Sequence, residues 1–123
     1  KVESAYEYIA YTNHVKCSPS EDNSKPSPSM WEHCGHHVLR EEIALLKPTD
    51  ILLLGKGDHL TRFQSARILD GPLDRELSAN GLVQRAKSSI DGMPVRVFVV
   101  PHPTRGVGVK KEVLSDLREL LKL

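Results

Sequence analysis

Two short apolar runs constrain the fold of this chain more than any other feature. Ile51-Leu52-Leu53-Leu54 is bounded by Pro48-Thr49-Asp50 and Gly55-Lys56-Gly57. Val95 to Val100 runs directly into Pro101-His102-Pro103-Thr104. Short apolar runs framed by breakers read as strands buried on both faces, the pattern of a parallel sheet covered by helices.

Helical patterns stand between and after these strands. Trp31, Val38, Leu39, Ile43 and Leu46 fall on one stripe at helical period, Ser29 and Glu32 have capping-box spacing, and Pro48 stops the helix. Asp58 caps a second helix through Leu60, Phe63 and Arg67. Lys110 to Leu123 forms a third, with Val113, Leu114, Leu117, Leu120 and Leu121 as its apolar face.

Tyr6 to Thr12, rich in aromatic and β-branched residues, reads as a first strand. Cys17 to Pro28 is a Ser/Pro/Asn-rich loop. Asp70 to Gly81 reads as irregular, punctuated by Gly71-Pro72 and Asn80-Gly81. Asp91-Gly92 between Leu82–Ile90 and Val95–Val100 is a hairpin signal. The order strand, helix, strand, helix, hairpin, helix predicts an α/β fold. Its expected form is a three-layer αβα arrangement around a short, mostly parallel sheet.

Composition bounds the function. At 123 residues and 39% hydrophobic, residues 1–123 make one domain with enough apolar surface for a core. No run approaches the roughly 20 apolar residues that cross a membrane, and no signal-peptide pattern opens the chain. A formal net charge of +1 excludes a wholly basic nucleic-acid-binding domain but leaves room for a local basic face. Residues 94–123 hold six Lys/Arg against three Asp/Glu. Two cysteines are too few for a disulfide scaffold, so an intracellular, cytoplasmic setting is the default.

In parallel sheets, ligands sit at the carboxyl ends of the strands. Three loops converge there: 13–28, 55–58 and 102–108. His102, held between two prolines after a strand, is an aimed polar group able to donate to a developing oxyanion or take a proton. Asn13 offers two donors and an acceptor for one edge of a base, or starts an Asx turn. Gly55-Lys56-Gly57, between strand and helix, holds a phosphate on its backbone amides or simply ends a strand. Cys17 and Cys34 stand with His14, His33, His36 and His37 nearby, open to a mixed Cys/His zinc site or to plain thiols.

Taken together, these pieces have a family likeness. Tyr11-Thr12-Asn13-His14-Val15-Lys16-Cys17-Ser18-Pro19, Cys34 within a helix, Glu41 to Pro48, Ile51 to Gly55 and the strand closing in His102-Pro103-Thr104 follow in an order that resembles the uracil-DNA glycosylase superfamily. The branch most similar is the family-4-like, iron–sulfur one.

The resemblance implies hydrolysis of the N-glycosidic bond of uracil in DNA after base flipping. On it, Asn13 reads the uracil edge and His102 stabilises the leaving uracil anion. Pro103, Thr104 and Arg105 meet the DNA, and Gly55 borders the site. Cys17 and Cys34 become two of the four ligands of a [4Fe–4S] cluster. Thr104 stands where the superfamily's second motif usually has Ser.

The superfamily's first motif, with a water-activating acidic residue and another cysteine pair, has no counterpart ahead of Asn13. The chain therefore reads as the C-terminal part of such a domain, without its N-terminal central strand. The competing readings are a catalytically dead nucleic-acid- or nucleotide-binding module of the same fold, and an unrelated small α/β domain that binds a phosphorylated metabolite at residues 55–58.

Overall fold

The computed structural model describes residues 9–12, 27–55, 59–102 and 111–122. A helical stretch comes first. Helix α1 (Pro28–Cys34) passes through a π-helical segment (Gly35–Leu39) into helix α2 (Arg40–Leu46). Its cap is Ser27, whose side chain accepts from the Met30 amide at 3.2 Å, with Pro28 in the first turn. The expected cap at Ser29 therefore lies two residues too late. The π-helical segment shifts the register of the apolar stripe. Cys34, Leu39 and Ile43 are buried, whereas Leu46 is exposed. Lys47 closes α2 in the left-handed region, its amide bonded to the Ile43 carbonyl at 2.9 Å, and Pro48 follows.

Strand β1 (Asp50–Leu54) leads to helix α3 (His59–Ser65), and three strands follow: β2 (Asp70–Leu77), β3 (Gln84–Ile90) and β4 (Met93–Val100). Helix α4 (Lys111–Leu121) ends the described chain. The sheet order is β1-β4-β3-β2. β1 and β4 are parallel, with Leu54 opposite Val100; β3 runs antiparallel to both β4 and β2. The sheet is thus mostly antiparallel, with one parallel pair, and not mostly parallel. The hairpin at Asp91-Gly92, both at positive φ, dictates one antiparallel pair. The other comes from β2, a strand where the sequence suggests irregular chain.

β1 also departs from expectation. Among the described residues it pairs only with β4, and Leu52 is half exposed. Among the described residues it is the outer strand, and its burial pattern is not that of a strand covered on both faces. Residues 9–12 carry no strand, and Ile9 and Tyr11 are exposed. The rest of the expected first strand lies outside the described residues.

The three-layer arrangement holds. Alternation along β4 sends Val95, Val97 and Val99 to one face and Phe98 and Val100 to the other. The first face packs against Leu39, Ile43, Leu60, Phe63, Ala66, Ile68 and Leu69 from the α1–α3 side. The second packs against Val113, Leu117 and Leu120 of α4.

Polar groups complete the α4 side. Asp116, 1% exposed, accepts from Ser78 Oγ (2.5 Å), Asn80 Nδ2 (2.7 Å) and the Leu82 amide (3.3 Å). These bonds, led by the one from Ser78, hold its carboxyl below the usual carboxylate range against the opposing effect of burial. At the far end of α4, Arg85 donates to the Leu120 carbonyl (3.0 Å) and Arg96 to the Leu121 carbonyl (3.0 Å). Both cations stand where the helix dipole favours them.

Candidate functional site

The parallel pair sets the site. β1 and β4 end together, and the Gly55 amide bonds the Val100 carbonyl at 2.9 Å just past the ladder. Gly55 has φ +124°, a conformation open to glycine. A Cβ there would meet His59 Nε2 in ordinary contact at 3.4 Å, so the first turn of α3 lies against the strand end. Two residues beyond β4, the exposed His102 stands on this same edge. The sequence places His102 and Gly55 together, and the sheet register brings their strands side by side.

A second group of side chains continues from Gly55. His59 meets the Trp31 ring edge-on, with centroids 6.3 Å apart. The Arg62 guanidinium lies over the Trp31 ring at 4.1 Å from its centroid, a cation–π contact between α3 and α1. His36 Nδ1 donates to the Ala66 carbonyl at 3.0 Å and ties the π-helical segment to the end of α3. Chemically, this cluster offers an aromatic plane, an imidazole and a fixed positive charge beside the carboxyl edge of the sheet. Sequence reasoning misses it, because Trp31 reads there as part of the apolar stripe. Its one signal is the combination of Trp31 early in a helix with His59 and Arg62 on successive turns of another.

Asn13, Cys17, Pro103, Thr104 and Arg105 lie outside the described residues, as do Lys56 and Gly57. Cys34 is described. It ends α1 on the buried side, 4% exposed, immediately before the π-helical segment. Among the described residues no three His, Cys, Asp or Glu side chains come together as a metal site. A [4Fe–4S] cluster takes four thiolates, and this chain has two cysteines. Its own donor set does not complete such a cluster. Among the described residues no helix is long and apolar enough to cross a membrane.

No curated protein and no solved structure matches the chain. A family model described as the Uracil DNA glycosylase superfamily matches residues 4–118, a span that takes in the Asn13 segment, the parallel β1/β4 pair, Gly55, His102 and most of α4. With nearly its whole length covered, and an α/β fold, the chain belongs to the uracil DNA glycosylase superfamily.

Proposed function

We propose that this chain forms the uracil-recognising and leaving-group side of a DNA repair glycosylase that hydrolyses the N-glycosidic bond of uracil in DNA. In this reading the nucleotide is flipped out of the stack and lodged at the carboxyl edge of β1 and β4. Asn13 reads the edge of the base with its amide. As the bond between the sugar and uracil breaks, its electron pair leaves with the base. His102 donates a hydrogen bond to the anion that forms, an electrostatic contribution made by a donor already in place. Pro103, Thr104 and Arg105 meet the flanking DNA. The single observation that carries the reading is the placement of His102 on the strand end beside Gly55, in a chain whose family is defined by this chemistry.

The finer assignment is to the family-4-like, iron–sulfur branch, with this chain as the C-terminal part of the domain. Cys17 and Cys34 then supply half of the cluster's ligands. The outer position of β1 among the described residues supports this, since the sheet has an edge where a further strand fits. The acidic residue that activates water belongs to the superfamily's first motif. Uracil-containing DNA incubated with the 123-residue chain and treated with alkali is therefore expected to show little strand scission. In a form that carries the first motif, His102→Ala lowers the rate of uracil release by roughly 10²- to 10³-fold, as for other lost oxyanion donors. An unchanged rate removes His102 from the mechanism. Vigorous scission by the 123-residue chain refutes the division of labour.

A further inference from the structure

The outward face of α4 carries a line of positive charge that the reaction chemistry leaves unused. At 3.6 residues per turn, Lys111, Arg118 and Lys122 fall within about 40° of arc. That arc lies opposite the helix's buried residues, Val113, Asp116 and Leu120. The three cations therefore sit at the pole of the exposed face. Exposed Ser115 lies about 20° beyond Lys122 on the same face; Leu114 and Leu121 flank the arc on one side, Glu112 and Glu119 on the other. Glu119 is turned away from the line, its carboxylate accepting from the Ala79 amide at 3.4 Å. The ion pairs among the described residues use Arg40, Arg85 and Arg96 and none of these three.

We propose that this line is a docking track for a DNA phosphodiester backbone, holding the duplex away from the flipped base. The inference rests on the DNA partner of the reading above. Charge complementarity carries it. Lys111 to Lys122 spans about 16 Å of helix, the axial length of about five phosphates of one strand. The track also starts in the right place. α4 follows the residues after His102, so Lys111 begins the line and Lys122 extends it toward the start of β1, where Arg96 bonds the Leu121 carbonyl. A bilayer is the poorer match. A membrane-lying helix centres its apolar residues and flanks them with cations, whereas here the cations are central and the leucines are to one side.

Fluorescence anisotropy with a labelled, uracil-free duplex between 50 and 200 mM salt tests the track directly. Each phosphate contact contributes about 0.9 to the slope of log affinity against log salt. The triple variant Lys111→Gln/Arg118→Gln/Lys122→Gln should have a slope smaller by two to three, so its affinity falls about 40-fold less across that range. Ser115→Lys, which adds a cation within the line, should steepen the slope and tighten binding. This second variant guards against a loss of binding caused by misfolding.

An unchanged slope in both variants overturns the proposal. So does a triple variant that loses binding to phosphatidylserine vesicles while its DNA binding is intact. The same titration with a uracil-containing duplex separates the two readings. A uracil preference with no effect of the track variants removes the track alone. A track effect without any uracil preference removes the base-recognition reading and leaves the track standing.

Discussion

On the face covered by α1–α3, eleven buried residues, all apolar, pack together: four from the sheet and seven from the π-helical segment, α2, α3 and the residues just after α3. On the face covered by α4, five buried apolar residues share the interface with Asp116, Arg85 and Ser78. The difference is one of kind. Apolar contact is non-directional, so the first face supplies stability chiefly by burial, and its directional ties, His36 to the Ala66 carbonyl and Arg62 over Trp31, join helical elements to one another and not to the sheet. Hydrogen bonds are directional, and on the second face they fix α4 at its middle and at its C-terminal end. The Ser78–Val83 turn bonds Asp116, while Arg85 and Arg96 bond the last carbonyls. The consequence is functional, because α4 is the element that follows the His102 strand end and carries the basic line. One face holds the domain together; the other places what the domain uses.

The sharpest way to break this comparison is to cut into each face and compare the losses. Phe63→Ala empties a 2%-exposed site on the apolar face and should cost about 3–5 kcal/mol in urea unfolding. Asp116→Asn should cost less, and its effect should depend on pH. The folded-state pKa of Asp116 lies below its unfolded value, so its stabilising effect is complete above about pH 4 and is lost as pH falls through the folded value. The Asn variant should lack that part of the acid transition. Should Asp116→Asn cost as much as Phe63→Ala at neutral pH, the division between a stabilising face and a placing face is wrong.

Gly55→Ala sharpens the comparison at the strand ends, where neither face dominates. A φ of +124° strains any side chain, so a loss of about 1–3 kcal/mol is expected by thermal or urea unfolding. A neutral Gly55→Ala shows that the edge relaxes freely. The smallest effect belongs to the outer pair of Asp50 and Arg96, joined at 2.5 Å but partly exposed. Asp50→Asn should cost about 0.2–1 kcal/mol, and added salt should erase the difference from the native chain. A salt-insensitive loss places this pair with the directional bonds of the α4 face.

Several elements were legible in the sequence because their signals are local. Asp91-Gly92 specifies its own turn, since both residues must take positive φ. Pro48 ends α2, and the spacing of Val113, Leu117 and Leu120 defines the buried side of α4. The misses come from non-local pairing. β2 contains Gly71, Pro72 and four charges, a poor strand by composition. It forms because β3 offers a ladder and because Ser88 and Ser89 both donate to the Asp70 carbonyl, at 3.0 and 3.2 Å. The apolar run of β1 is visible, but its position at an edge depends on what pairs beside it. In the candidate site, His102 and Gly55 are legible because each follows a strand. Trp31, His59 and Arg62 are not, because helices distant in sequence bring them together.

The central claim is that a uracil base lodges at the strand ends that carry His102. An amide-resolved NMR titration of the 123-residue chain with a uracil-containing single strand, run beside its thymine counterpart, tests it most directly. Uracil-dependent shifts are expected at Asn13 and His102. Shifts confined to residues 55–58, or shifts identical for the two strands, would contradict it.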